Sequence, residues 1–465
     1  MCCRSEGRLG SPNGDWMDAS SLRRVGREAF WVGLGQAVAA IGAIVGVRLL
    51  TGFMNPTAYG QLALALTIVM FSQQLILGPL GQAFMRYFAP MQEANKLPAF
   101  FRAALVLLTH ASGLILFFAV LSILGLWAIG EVRWVPVVFL AFLLALVNGY
   151  NGGMDAVQNA ARHRIVVAWH DGLGQWARAA MAIFLIVILG SSGTVALLGY
   201  TLGAALVITS QLVFLRKFLL KGIPRTAEEK DIGQCVQQMR GYAWPFAGWG
   251  LFSWAQLASD RWALQAFAAT GVVGLYAALF QVGYSPISLL TGLAVQLFSP
   301  ILFSRAGDAS DPGRLKHAHR LNHLLLAGSL ALTFVATLIA FLLQNLIFRL
   351  VVAPQYRQVA GWLPYMVLAG GLFASGQIAS LIFMTAGKTK RLLAPKIGTC
   401  ALCVLLNIVG AYRFGLAGVV LANVTFSTVY LIWVSILARR QVRAELPIGS
   451  ENAAWGLGGT RSSAT

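Results

Sequence analysis

Apolar stretches long enough to cross a bilayer recur along the whole chain and leave little choice of fold. About twelve of them run to roughly 20 residues, matching the ~30 Å hydrocarbon core of a membrane. They are drawn at 29–51, 58–84, 101–127, 134–157, 165–190, 194–216, 242–265, 271–302, 322–347, 360–385, 391–411 and 414–438. In lipid every backbone polar group must be satisfied internally, and segments of this length do so as α-helices. Only 11% of the 465 residues are charged and 58% are hydrophobic, whereas a soluble domain carries about 25% charged residues. The expected class is an all-α polytopic membrane protein with about twelve transmembrane helices.

The basic residues fix an orientation. With the N-terminus placed in the cytoplasm, the 35 Lys and Arg residues all fall on the cytoplasmic side with two sets of exceptions. Arg133, Arg349, Arg357 and Arg413 lie outside, and Arg48, Arg178 and Arg261 lie within spans. That bias is the positive-inside rule. An even number of crossings returns the C-terminus to the cytoplasm, where Arg439, Arg440 and Arg443 agree. The formal charge of +19 is spread over short loops, which suits topology and anionic lipid headgroups rather than nucleic acid. The first 28 residues are polar and carry Arg4, Arg8, Arg23, Arg24 and Arg27. No cleaved signal peptide is expected from them, and the first span stays in place as a membrane helix. The five cysteines, Cys2, Cys3, Cys235, Cys400 and Cys403, form no disulfide framework. Cys400 and Cys403 share an apolar span with no histidine nearby and read as helix packing.

The longest internal connection, 217–241, is cytoplasmic and divides the chain into two sets of six spans, 29–216 and 242–438. Residues 1–28 and 439–465 form the cytoplasmic ends, the latter with a Gly/Ser-rich tail expected to be disordered. Ile232, Val236 and Met239, like Leu22, Val25 and Ala29, recur at helical spacing among polar residues. They predict a short interfacial helix ahead of each half. Trp31, Gly35 and Arg48 match Trp244, Gly248 and Arg261 at a constant offset. After one inserted residue, Phe53, Gly60, Gly78, Gln82 and Phe84 match Phe267, Gly274, Gly292, Gln296 and Phe298. Six spans per half return each half to the side it started from, which makes a parallel pseudo-repeat about an axis along the membrane normal, with a cleft between the lobes.

Charged and polar residues inside the spans mark the candidate site. A charge at a helix centre costs about 2.5–3.5 kcal/mol on insertion scales, and Arg178 lies near mid-span. Asp171, Gln175 and Arg178 share one helical face by spacing. Two readings follow: a structural ion pair of Arg178 with Asp171 or Asp155, or an arginine facing a wet central cavity and an anionic substrate. Arg48 and Arg261 sit near the outer ends of equivalent helices, where snorkelling competes with a functional role. Facing each other across a cleft, they could grip a diphosphate bidentately. Asp260 precedes Arg261 but points about 100° away from it on a helix. Asn148, Asn151 and Asp155 share one face, and Gln281 and Tyr284 lie in the eighth span; such groups read mainly as interhelical hydrogen-bonding contacts. Gln36 is the main polar group of the first span. Gly42, Gly46, Gly370 and Gly371 read as close helix packing, and His110 and His170 as structural histidines.

Three stretches carry a family resemblance: Arg48-Leu-Leu-Thr-Gly-Phe-Met-Asn-Pro-Thr-Ala-Tyr-Gly60; Arg86-Tyr87; and Trp244-Pro245-Phe246 followed by Asp260-Arg261 and Gly274-Leu275-Tyr276. The chain resembles the bacterial polysaccharide flippases of the O-antigen (Wzx) type. These lie in the superfamily that also holds multidrug antiporters and the lipid II flippase. The resemblance implies two six-helix lobes around a cationic cavity, in the bacterial inner membrane. It implies movement of an undecaprenyl-diphosphate-linked oligosaccharide between leaflets for surface polysaccharide or lipopolysaccharide synthesis. Arg48, Asp260 and Arg261 match the family pattern, whereas Arg178 is inferred from depth and charge. The implied partners are the lipid-linked glycan, membrane lipids and the polymerase or glycosyltransferases of the pathway. Asp171, Gln175, Asp260, Asp155 and Gln36 are candidates for support or ion coupling, and no cofactor, metal or catalytic residue is expected. A cation-coupled multidrug exporter is the alternative and should favour buried carboxylates. A membrane polymerase or ligase is a second alternative, disfavoured by short external connections and by the lack of a nucleophile–base pair.

Overall fold

The computed structural model describes residues 19–219, 227–306 and 312–445. Expectations for Cys2, Cys3, the first arginines and the tail beyond 445 lie outside the described residues. Every long element among the described residues is a helix: α1 (Ala19–Phe53), α2 (Pro56–Ser72), α3 (Gly78–Glu93), α4 (Leu97–Ala128), α5 (Val135–Ala160), α6 (Arg164–Leu189), α7 (Gly193–Phe214), α8 (Glu229–Phe267), α9 (Thr270–Ala306), α10 (Pro312–Val351), α11 (Leu363–Thr385) and α12 (Leu393–Glu445). Among the described residues, ten stretches are long and apolar enough to cross a membrane. The chain is therefore an all-α polytopic membrane protein.

Two helices need comment, because their boundaries differ from a simple span. The 55-residue stretch 389–443 would be about 80 Å long if straight. It turns at Gly415, whose φ is 57°, a left-handed conformation that costs glycine nothing. The arms 393–414 and 416–445 run antiparallel: the backbones of Gly410 and Gly418 touch, Gly398 faces the Trp433 ring, and Arg391 donates to Gln441. The two spans drawn from sequence at 391–411 and 414–438 are these arms. By contrast, α2 and α3 form one rod interrupted by a π-helical turn over Gln73–Leu77. Pro79 explains it: the residue has no N–H for the Leu75 carbonyl, and its ring crowds that carbonyl. The chain admits one extra residue, and the Gly78 N–H reaches back to the Gln73 carbonyl. Gly250 of α8 lies against this turn so closely that a Cβ there would sit 1.8 Å from the Gln74 oxygen.

The helix starts follow local chemistry. Asn55 accepts from the Ala58 N–H at 2.8 Å, with Pro56 opening α2. Ser192 accepts from the Val195 N–H at 3.1 Å at the start of α7. Helix α1 packs on α6, α6 on α7, α7 on α5, and α5 on α2 and α3; α11 packs against α9, α10 and α12, and α12 against α8. The most extensive bridges between these groups are α2 with α9, and α3 and α4 with α8. Side chains on the outside are apolar where lipid tails would be: Phe334, Phe341, Leu342 and Leu350 of α10 are all exposed. An aqueous surface would not carry such a face.

The separate interfacial helices expected ahead of each half are not present as distinct elements. Helix α1 runs unbroken from Ala19, and α8 runs unbroken from Glu229 through Phe267. Residues 229–241 of the expected linker are the first turns of α8, and Cys235 and Met239 are buried against Phe84, Phe88 and Phe100. The apolar stripe is real, but it covers protein rather than the membrane surface.

Candidate functional site

A cavity of about 260 Å³ opens where α1, α2, α5, α6, α7, α8 and α9 converge. Small residues make room for it: Gly42, Ala43 and Gly46 of α1 line it beside Gln175, Arg178 and Ala179 of α6. From the α8 side Arg261 enters, with Ala277 and Gln281 of α9 beside it. Asn148, Tyr59, Tyr200 and Thr67 supply the remaining polar groups, and no Asp, Glu or His is among the lining residues. The interior is cationic and rich in hydrogen-bond donors.

Arg178 is held on α6 where α7 passes at backbone contact: a Cβ on Gly203 would meet the Arg178 backbone at 2.7 Å. Its Nε is buried and has no hydrogen-bond partner. Among the described residues no carboxylate lies within 4.0 Å of its guanidinium. The structural ion pair with Asp171 or Asp155 is thus not formed. A buried donor left without an acceptor costs about 1–3 kcal/mol, and more when charged, which a ligand oxygen entering the cavity would recover.

Arg261 is 7% exposed and its placement is over-determined. Its Nη1 donates to the Leu257 carbonyl at 2.9 Å, and its guanidinium lies 4.6 Å from the centre of the Phe280 ring. Asp260 sits 3.7 Å from Nη1. That carboxylate is itself tied down: it accepts from the Tyr276 hydroxyl at 2.6 Å and from the Arg261 N–H at 2.7 Å. The Asn423 amide in turn donates to the Tyr276 oxygen at 3.1 Å. The chain Asn423–Tyr276–Asp260 leaves Asp260 little freedom and makes it a fixed counter-charge beside Arg261.

The other expected site residues separate by location. Gln175 lines the cavity with Arg178, as their shared face predicts, whereas Asp171 is half-buried and outside the lining. Asp155 accepts from the Gln211 amide at 2.6 Å, away from the cavity. Gln36 is half-buried on α1 and does not line it. Arg48 is exposed, on the opposite side of α1 from the lining residues Val47 and Leu50. The sequence match of Arg48 with Arg261 therefore does not place the two alike. Sequence reasoning missed Tyr59 and Tyr200, and it missed Asn423 behind Tyr276. It also counted Lys396 among the cytoplasmic residues. Lys396 is buried on α12, donating to the Gln256 side-chain oxygen at 3.1 Å with the Trp249 ring centre at 5.4 Å. Its place in the second turn of an apolar helix was the signal.

The end of the cavity at the α1–α2 turn is shut by backbone contacts. Gly60 and Gly274, matched in the two halves, cross there: a Cβ on Gly60 would sit 2.1 Å from the Thr270 oxygen, and one on Gly274 would sit 1.9 Å from the Pro56 oxygen. The pattern is reciprocal, as a two-fold relation between α2 and α9 requires. Nearby, Gln355 donates to the carbonyls of Thr51 and Met54 at 3.2 and 2.8 Å, and the Tyr356 hydroxyl donates to that of Met54 at 2.9 Å.

The described helices form a bundle apolar enough to lie in a membrane, with a cationic cavity among them. The sequence pattern of the family described as "Polysaccharide biosynthesis protein" matches residues 25–304, and the chain belongs to that family. Among solved structures it is similar to an inward-facing multidrug resistance MATE family transporter of the MOP superfamily, at 14% identity, TM-score 0.65, over 88% of this chain and 95% of that one. It is also similar to the lipid II flippase MurJ in its inward closed conformation, at 13% identity, TM-score 0.63, over 92% and 89%. The Vibrio cholerae MATE transporter VcmN in the bent form is similar at 14% identity, TM-score 0.56, over 94% and 100%. These likenesses are of fold. No curated protein matches significantly.

Proposed function

We propose that this protein is a flippase that moves an undecaprenyl-diphosphate-linked oligosaccharide across the inner membrane by alternating access. The observation that carries the reading is the pair Arg178 and Arg261, brought by α6 and α8 to one cavity without an acidic lining residue. A diphosphate presents oxygens to guanidinium donors, and Arg178 keeps a buried donor in reserve. Membership in a polysaccharide biosynthesis family supports a glycan carrier lipid as cargo. With α8 and both arms of α12 counted as crossings, twelve passes form two lobes, 29–216 and 242–438, with both termini cytoplasmic. The α1–α2 turn then lies on the outer side, and the Gly60–Gly274 crossing is an outer closure. A multidrug exporter for cationic compounds fits less well, because it would set two guanidinium groups against its cargo. A polymerase or ligase would need a nucleophile or base at the cavity, and none of the lining residues is acidic or a histidine.

The test is complementation of a strain deleted for the gene, read as surface polysaccharide and as lipid-linked glycan left on the cytoplasmic face. Arg178→Ala is expected to abolish export while the protein still inserts and accumulates. Undiminished export by that variant removes Arg178 from the site.

A further inference from the structure

On the outside of the bundle, α10 and the second arm of α12 each pack along α11 but barely touch one another. The Asn322 amide of α10 donates to the Ile378 carbonyl of α11 at 2.9 Å, and the Ser329 and Ser375 hydroxyls lie 2.9 Å apart. On the other flank of α11, Gly376 lets the Tyr430 ring of α12 approach. Between the two flanking helices runs a groove of about 330 Å³, floored by Ala379 and Ile382 of α11. Its walls are polar toward one end only. His323, Leu326 and Leu330 line it from one face of α10, and Ile432, Ser435, Ile436 and Arg439 from one face of α12. Three chain reversals separate α10 from the second arm of α12, so the two run antiparallel. His323 and Arg439 therefore fall toward the same end of the groove, and Leu330 and Ile432 toward the other.

We propose that this groove binds one anionic phospholipid, with its phosphate on Arg439 and one acyl chain along Leu330, Ile432 and Ile436. The surroundings favour a lipid. Those three apolar side chains are exposed on helices apolar enough to lie in a membrane, where hydrocarbon covers them. From His323 to Leu330 the groove runs about 10 Å along α10. At 330 Å³ over that length, its cross-section is less than half that of a helix about 10 Å across. A hydrocarbon chain fits it and a partner helix does not. The charge selects the headgroup. Residues 312–323 and 436–445, at the polar end, carry Arg314, Lys316, Arg320, Arg439, Arg440 and Arg443 against one acid, Glu445. Basic pockets between helices at a membrane face bind anionic headgroups. A guanidinium meets a phosphate through two parallel hydrogen bonds, and the Ser435 hydroxyl and His323 ring at the same end are further donors to headgroup oxygens. No residue of α10, α11 or α12 is among those lining the cavity. The phospholipid thus lies outside the cargo path, and its binding does not depend on what the cavity carries.

The experiment is photocrosslinking of the purified full-length protein in phosphatidylcholine nanodiscs. They hold a trace of phosphatidylglycerol with a diazirine in one acyl chain, or of phosphatidylcholine with the same chain, and adducts are mapped by peptide mass spectrometry. The reading is the ratio of adducts at Leu330, Ile432 and Ile436 to those at Phe334 and Phe341, exposed residues of α10 outside the groove. That ratio is expected to be at least ~10-fold higher for phosphatidylglycerol than for phosphatidylcholine, as several basic residues near one headgroup imply. Arg439→Gln should lower the phosphatidylglycerol ratio about fivefold, the effect of one basic residue at a headgroup. Arg439→Lys keeps the charge and should stay within about twofold of wild type. Ile436→Trp fills the groove and should lower the ratio at least ~5-fold while the Phe334 and Phe341 adducts persist. Equal ratios for the two probes mean an ordinary boundary lipid and overturn the proposal. Absence of groove adducts, as when a second copy or a partner protein covers the face, overturns it too. So does a wild-type ratio in either Arg439→Gln or Ile436→Trp. Arg178→Ala should leave the ratio unchanged whatever it does to export, so this site and the export reading fail separately.

Discussion

Replacing Gly274 with alanine is expected to open the closed end of the cavity. The added Cβ would lie 1.9 Å from the Pro56 oxygen, 2.8 Å from the Pro56 carbon and 2.9 Å from the Gly60 nitrogen. All three are backbone atoms and cannot rotate away. A carbon and a carbonyl oxygen rest at ~3.3–3.6 Å, so α2 and α9 must separate by about 1.4 Å. Overpacking of this kind costs about 1–3 kcal/mol, charged only to the conformation in which the two helices touch. If cargo movement separates them, the closed form loses about 5- to 150-fold in population relative to the open one. The assay is thiol labelling in a cysteine-substituted background. Ala63→Cys places a thiol in the cavity wall, and a membrane-impermeant reagent added outside reports access from the α1–α2 end. Gly274→Ala should raise the labelling rate by at least fivefold, and Gly60→Ala should do the same by the reciprocal clash with Thr270. Unchanged labelling in both variants, with the proteins folded and abundant, refutes the closure.

Three further outcomes follow from the site. Arg48→Ala should export at the wild-type level, because Arg48 is exposed and outside the cavity; a loss equal to that of Arg178→Ala would show that the cavity extends past α1. Arg261→Lys should export less than wild type but more than Arg261→Ala, since lysine keeps the charge while giving up the flat contact with Phe280; complementation ranks the three. Tyr276→Phe deletes the 2.6 Å bond to Asp260, a hydrogen bond to a charged group worth about 1.5–3 kcal/mol. It should lower the thermal unfolding temperature in detergent and weaken export through the displaced Arg261; an unfolding temperature equal to wild type would show that Asp260 needs no such anchor.

Much of the architecture is legible in the sequence because a membrane leaves one main solution per span. The hydrophobic lengths, the turn near Gly415 and the shared face of Gln175 and Arg178 all rest on local spacing, and the structure agrees with each. What spacing cannot report is the identity of the surface a residue meets. The stripe of Ile232, Val236 and Met239 has the same period whether it covers lipid headgroups or Phe84 and Phe100. Arg48 and Arg261 share a motif, yet their surroundings come from elsewhere in the chain: Phe280, Tyr276 and Asn423 gather around one, and nothing comparable gathers around the other. Lys396 was misplaced for the same reason, since Gln256 and Trp249 reach it from a helix more than a hundred residues away in the chain. The cavity depends on small residues at crossing points, which the sequence shows only as glycines and alanines among many others.

The π turn between α2 and α3 makes a single crossing behave as two differently aimed surfaces. One inserted residue advances the helix by about 100° of phase. The face that α2 turns to the cavity, with Tyr59 and Thr67, is therefore not continued by α3, whose Phe84 and Phe88 are buried in another core. Deleting Gln74 would restore the phase and rotate those two phenylalanines by the same angle, out of their contacts with Phe100. The extra residue forced by Pro79 thus lets one rod line the cavity near one end and pack into the helix core near the other.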